Sequence, residues 1–287
     1  MSLNEFQVST YHDRGFLSPI DGFQADEMRR LQRAFDDFER QCLERGGPIA
    51  GSPMQFRPHL HQPWAADLVR RPEILDAVES LIGPDILVYH VTIWIKEPGA
   101  DSYVSWHQDS TYFGLAPFVH VTAWLALTEA SEDMGCMRMI PGSHRRGELP
   151  LDEVRPGGNL MLRAGHALTV DESSEEVVAT PLDAGQFSLH HTLTLHASGP
   201  NRAERRRVGL GISYIPTSCR CTARQRVDAT LVRGVDRFGH FDLEERPERA
   251  GDDSGLARLD RSLQRWNAMR RETKARVLER MAHHQRR

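Results

Sequence analysis

"ILVYHVTIWIK", residues 86–96, is the stretch on which the fold turns: eleven residues of mostly β-branched and aromatic side chains, with no glycine or proline among them. Short, stiff side chains of this kind suit a pleated strand. The same texture continues outward in "YVSWH" (103–107), "VHVTAWLAL" (119–127), "CMRMI" (136–140), "NLMLR" (159–163), "HALTV" (166–170), "QFSLHHT" (186–192) and "RVGLGISYI" (207–215). Gly, Pro, Asn and Asp separate these segments, and no helical pattern intervenes. Successive strands without crossover helices predict a β sandwich or barrel rather than a parallel α/β sheet.

On the N-terminal side, Met28, Leu31, Phe35, Phe38 and Cys42 recur at steps of three and four and stop before Gly46-Gly47, the pattern of an amphipathic helix. "RPEILDAVESLIG" (71–83) predicts a second helix, with Pro72 in its first turn and Gly83 past its end. Between them "GPIAGSPMQFRPHLHQPW" (47–64) holds four prolines and reads as a long loop. After Pro216 the chain turns polar, and Leu256, Leu259, Leu263 and Trp266 mark a C-terminal helix. The expected organisation is one domain over 1–287, with N-terminal helices to about 85, a β core over about 86–216, and a helical extension over about 217–287.

A length of 287 residues, 39% of them hydrophobic, is enough for one large core. A net charge of −4 argues against nucleic-acid or membrane partners. The basic run "MRRETKARVLERMAHHQRR" fits a solvated helix face. No run of about 18 apolar residues occurs, and the start lacks the layout of a secretory signal. Four cysteines, with Cys219 and Cys221 too few for a metal signal by themselves, fit a reduced protein. The expectation is a soluble, cytoplasmic protein.

Chemistry concentrates in "WHQD" (106–109). If the strand continues, alternation points His107 and Asp109 to one face and Gln108 to the other. Imidazole and carboxylate side by side are two of the three ligands of a 2-His-1-carboxylate facial triad, which suits Fe(II) and leaves coordination positions open. The third ligand must come from another strand. His190, His191 and His196 are available, and His196, before a small-residue turn and 89 positions after His107, is the best placed. Arg205, Arg206 and Arg207 follow, and an arginine fork binds a carboxylate in two parallel hydrogen bonds. A second such word, His240-Phe241-Asp242, lies in polar sequence and reads as surface. Arg57, His59, His61, Lys96, Tyr112, Arg138 and His191 are polar candidates for a substrate pocket, and favour a small polar or anionic substrate.

Several motifs agree in order: "YHDRGFLSPIDGF" (11–23), "IWIKEPGADSYVSWHQD" (93–109), "VTAWLAL" (121–127), "GCMRMIPGSH" (135–144) and "SLHHTLTLHASGPNRAERRRVGLGISYI" (188–215). Together they resemble the phytanoyl-CoA dioxygenase family of Fe(II)- and 2-oxoglutarate-dependent oxygenases, in its bacterial small-molecule branch. The resemblance implies a double-stranded β-helix core of jelly-roll, cupin-like type with flanking helices. It implies Fe(II) on His107, Asp109 and His196, with 2-oxoglutarate as cosubstrate and O2 as oxidant. It implies Arg207 for the distal carboxylate, with Arg206 one register step away, accompanied by Ser198, Trp124 and Gln108. Halogenating relatives replace the carboxylate by Ala or Gly; Asp109 is present, which favours hydroxylation. Two other classes compete: a cupin-like metalloenzyme of non-oxidative, isomerase type, which has no need of Arg207, and a non-catalytic metal-containing protein that binds a small ligand and uses the metal only structurally.

Overall fold

The computed structural model describes residues 2–150, 152–153, 161 and 166–284. Its helices are α1 (Glu5–Arg14), α2 (Ala25–Glu44), α3 (Pro63–Leu68), α4 (Pro72–Ile82), α5 (Ser110–Phe113) and α6 (Asp253–His284). Its strands are β1 (Phe16–Asp21), β2 (Ile86–Lys96), β3 (Val104–His107), β4 (Leu115–Ala116), β5 (Val121–Ala126), β6 (Met137–Met139), β7 (Asp152–Glu153), β8 (His166–Ala167), β9 (Val178–Thr180), β10 (Gln186–His191), β11 (His196–Ser198), β12 (Arg207–Pro216), β13 (Arg220–Cys221), β14 (Asp228–Arg233) and β15 (Asp242–Leu243).

Two sheets form the core. The larger runs β1-β10-β5-β12-β2-β14-β15 and the smaller β3-β11-β6-β9. All pairings are antiparallel except β14 with β15. This is the double-stranded β-helix arrangement with flanking helices.

Both faces of the larger sheet are covered, which is why its strands read as continuous apolar runs rather than alternating ones. On the outer face Val91, Ile93 and Ile95 of β2 and Val208, Leu210 and Ile212 of β12 pack in one buried cluster with Met28, Phe35 and Phe38 of α2 and Ile74, Leu75 and Val78 of α4. Each such side chain contributes about 1.5–3 kcal/mol by leaving water. The amphipathic stripe of α2 therefore has its partner, and Gly83 ends α4 at φ 83° as its position implied. The inner face is set by register: Arg207 lies opposite Lys96, Gly209 opposite Trp94, Gly211 opposite Thr92 and Ser213 opposite His90. A Cβ on Gly209 would collide with the Trp124 ring, so that strand needs glycine where the indole crosses it.

The sheet is not confined to 86–216. It takes β1 from the N-terminal segment, and β14 and β15 from the stretch expected to be a helical extension. Strand β1 contains Pro19 and sits at the sheet edge, where a missing N–H costs no ladder bond. Of the expected strands, "HALTV" is reduced to His166–Ala167, and "NLMLR" lies outside the described residues apart from Met161. The loop 47–64 holds 3-10 turns at Pro53–Gln55 and Pro58–Leu60 before α3. Among the described residues no helix is long and apolar enough to cross a membrane.

Candidate active site

Strand β3 ends at His107 and β11 begins at His196, and the two are direct cross-strand partners. Asp109 is not on the strand, as simple alternation assumed. Two residues on, it takes helical angles (φ −62°, ψ −33°) at the start of α5, and Ser110 N–H anchors the turn to Thr192 O at 3.1 Å. The turn still delivers the carboxylate to the histidines: Asp109 Oδ1 lies 3.7 Å from His107 Nε2 and 3.8 Å from His196 Nε2. Among the described residues these three form the one group of His, Cys, Asp or Glu side chains whose ligand atoms converge, within 4.8 Å of one another.

The donor set fits a divalent metal. His107 Nδ1 bonds Ser105 O at 2.8 Å and His196 Nδ1 bonds Thr194 O at 2.9 Å. A carbonyl only accepts, so each Nδ1 carries the proton and each Nε2 presents its lone pair to the cluster, the orientation that metal-bound imidazoles require. Burial lowers the pKa of His107 and drives that of His196 well below normal, which keeps both rings neutral. For Asp109 burial works upward, but His190, His196 and His120 around it prevail and hold it well below the carboxylate range. Thr122 Oγ1 donates to Asp109 Oδ2 at 2.7 Å, and His190 Nε2 stands 3.4 Å from the same oxygen. His190 thus lines the cavity beside the ligand set without joining it.

The inner end of the cavity is cationic. Arg207 is 2% exposed, donates to Gly135 O, and lies 4.8 Å over the Trp124 ring. Burial lowers its pKa to about 10, and its Nε has no hydrogen-bond partner. Arg206, its neighbour, points outward to Glu39 at 2.7 and 2.9 Å and to Glu97 at 2.9 Å. Strand alternation therefore separates the two candidates. Ser198 and Trp124 line the same cavity as Arg207 and the His-Asp-His group. Lys96, also fully buried, bonds Ser198 Oγ at 2.6 Å and Ser198 O at 3.3 Å; burial, then Arg207, lowers its pKa to about 6. Sequence reasoning put Lys96 with the substrate, whereas the structure puts it beside Arg207.

Other candidates lie elsewhere. Gln108 faces away: its Nε2 donates to Gly147 O and Leu193 O at 2.9 and 2.8 Å and its Oε1 accepts from Leu149 N at 2.8 Å. Its amide braces two segments, 147–149 and the one at Leu193, and both of its N–H groups are used there. Arg57 pairs with Glu244 at 3.0 Å, with His59 alongside. His61 packs on Phe38 of α2. Arg138 grips Glu172 through two bonds of 2.7 and 2.8 Å. His191 accepts from Leu193 N at 3.1 Å and leans on Tyr11 and His144. Tyr112 alone of the proposed pocket residues is at the metal cluster, its ring edge-on to His107 at 5.8 Å. Cys219 and Cys221 belong to no ligand group among the described residues, and Asp242 is tied to Arg226 and Arg265.

The phytanoyl-CoA dioxygenase (PhyH) model matches residues 11–209, more than half of the chain and all of the cluster just described. The chain belongs to the phytanoyl-CoA dioxygenase family. It is 32% identical over 253 residues to a probable alpha-ketoglutarate-dependent hypophosphite dioxygenase of Stutzerimonas stutzeri, covering 82% of this chain and 83% of that one. It is 27% identical to peroxisomal phytanoyl-CoA dioxygenase of Homo sapiens, over 58% of this chain and 52% of that one. Among solved structures, the apo form of the non-heme monooxygenase ThoJ superposes with TM-score 0.82 at 33% identity, covering 94% of this chain and 99% of that one. CytC3 with Fe(II) and alpha-ketoglutarate, at 22% identity and TM-score 0.65 over 88% and 96%, shares the fold. This member of the phytanoyl-CoA dioxygenase family is an Fe(II)- and 2-oxoglutarate-dependent dioxygenase.

Proposed function

We propose that His107, Asp109 and His196 hold Fe(II), that Arg207 with Ser198 and Trp124 binds the distal carboxylate of 2-oxoglutarate, and that the enzyme hydroxylates a C–H bond of a small polar molecule. The observation that carries this reading is the locking of both Nδ1 atoms onto carbonyls, which aims two lone pairs and one carboxylate at a common point. Bound there, Fe(II) with O2 and 2-oxoglutarate supplies the oxidation: one oxygen atom enters the substrate as hydroxyl, the other leaves in succinate, and CO2 is released.

The chain's own residues do the rest. Arg207 is a buried cation with no carboxylate partner among the described residues, and a desolvated cation is costly until an anion joins it; Lys96 beside it, its pKa lowered by burial and by Arg207, regains its proton most readily when an anion binds there. The distal carboxylate of the cosubstrate meets that demand. Ser198 Oγ, fixed by Lys96, offers it a hydroxyl. Thr122 holds the second oxygen of Asp109, with His190 beside it, so that Oδ1 stays turned to the histidines. A carboxylate as third ligand, where halogenating relatives have Ala or Gly, supports hydroxylation. That all four cysteines are free supports a reducing compartment, the cytoplasm.

The test is succinate formation by Arg207→Ala. Losing a hydrogen bond between charged groups should raise the KM for 2-oxoglutarate roughly 10–100-fold. An unaltered KM in Arg207→Ala would remove Arg207 from the cosubstrate site, whereas a folded wild-type protein that forms no succinate would favour the non-oxidative metalloenzyme.

A further inference from the structure

The metal cluster opens outward into a second chamber of about 300 Å³, lined by Gln55 and Phe56 of the proline-rich loop, His90, Thr92 and Trp94 of β2, Tyr112 and Phe113 of α5, and Trp266, Asn267 and Arg270 of α6, with His107 and Asp109 at its floor. That volume is at the small end for ligand pockets. Its walls are aromatic, and its charges are unbalanced. The one carboxylate among the described lining residues is Asp109, already committed to the metal. Among the same described residues the one permanent cation is Arg270.

Arg270 was expected on the solvated face of a basic helix. Instead, α6 packs along the barrel mouth through Ser262, Trp266, Met269 and Thr273, all buried, and this face carries Arg270 inward. Its guanidinium lies 5.8 Å over the Tyr112 ring, and Tyr112 is 5.8 Å from the His107 ring. Two such steps keep the cation within about 12 Å of a metal ligand. No carboxylate among the described residues pairs with it, although Arg265, one turn earlier, is held by Asp228 and Asp242. Burial lowers its pKa, the direction of a charge lacking compensation. Beside it His90, 5% exposed, stacks on Trp266 at 4.2 Å and leaves Nδ1 without a hydrogen-bond partner.

We propose that Arg270 anchors the acid group of the substrate, so that the molecule oxidised is a small organic acid, a carboxylate or phosphonate, whose apolar part lies among Phe56, Trp94, Phe113 and Trp266. An arginine fork recognises either oxyanion through paired hydrogen bonds, and the aromatic walls place the carbon chain between that anchor and the metal. The inference rests on the hydroxylase reading above, and gives it a substrate class. It also replaces the residues from which an anionic substrate was first expected, since Arg57 and Arg138 are spent on Glu244 and Glu172 and Lys96 lies at the cosubstrate end.

The test uses protein loaded anaerobically with Fe(II) and 2-oxoglutarate, whose visible charge-transfer band, recorded before any addition, examines the iron site separately. The probes are 3-phenylpropionate and 3-phenylpropylphosphonate, each against the uncharged 3-phenylpropanamide, followed by quenching of tryptophan fluorescence from Trp94 and Trp266. At least one acid should bind 10-fold or more tighter than the amide. Arg270→Gln should remove that preference and Arg270→Lys restore part of it. A band present in the wild-type protein while neither acid binds it more tightly than the amide overturns the anchor but leaves the iron site standing. So does an acid preference that survives in Arg270→Gln. Absence of the band is the separate result that counts against the iron reading.

Discussion

Two buried sites in the molecule set histidine beside a carboxylate. In one, His107 and His196 face Asp109. In the other, His59 stands 3.8 Å from Glu244. They differ in what the carboxylate already has. Glu244 is satisfied by Arg57 at 3.0 Å, Thr230 at 2.7 Å and Ser262 at 3.2 Å. Asp109 has Thr122 and the surrounding imidazoles but no arginine or lysine partner among the described residues, and the two histidines nearest Oδ1 are turned by their carbonyl bonds to offer lone pairs. A buried carboxylate with its counter-charge built in is a brace, and one set among converging imidazole lone pairs without it is placed to take a metal ion. The brace ties the proline-rich loop to β14 and α6, and so holds the chamber wall that the ligand cluster needs.

Removing the brace's cation should have the largest effect on stability. Arg57→Ala leaves Glu244 buried and uncompensated, and should cost about 3–5 kcal/mol in denaturant unfolding. A cost under 1 kcal/mol would erase the distinction between the two clusters.

Acidification sharpens it next. Burial drives His61 down to about 3 in the folded protein, while the unfolded chain titrates near 6.5. Below pH 6.5 the unfolded state therefore binds the extra proton, and stability falls as pH drops from 6.5 toward 3, by about 1.4 kcal/mol per pH unit from this residue alone. Other buried histidines, among them His120 at about 3 and His191 at about 4, add to the same loss, so in metal-free protein unfolded at pH 6.5 and 5.5, His61→Asn should reduce the difference by about 1 kcal/mol without abolishing it.

The smallest effect belongs to Arg206, partly exposed between Glu39 and Glu97. Arg206→Ala should change stability by about 1 kcal/mol or less and leave the KM for 2-oxoglutarate unaltered, in contrast to Arg207→Ala.

Most of the core strands and the residues of the converging His-Asp-His group were legible because both rest on local chemistry: β-branched runs, a His-x-Asp word, and a histidine before a turn. Asp109 was reached by a wrong route, since alternation along a strand was invoked where a turn into α5 does the work. The choice between Arg206 and Arg207 needed the register with Lys96. Strand β1 was hidden by its proline, tolerated only because the strand is an edge. Arg270 was hidden among other basic residues, because nothing in a single helix says which arginine has a neighbouring acid and which has a cavity. Gln108 shows the reverse: adjacency to two ligands suggested a binding role, while its amide is consumed by Gly147, Leu149 and Leu193.

The central claim is that the cluster with the uncompensated carboxylate is the iron site, and anaerobic titration with Fe(II) in the presence of 2-oxoglutarate tests it most directly. The account predicts a visible charge-transfer band saturating at one Fe(II) per chain, abolished in His196→Ala and retained in His59→Ala. A folded wild-type protein without the band, or a band that survives His196→Ala and disappears in His59→Ala, would contradict it.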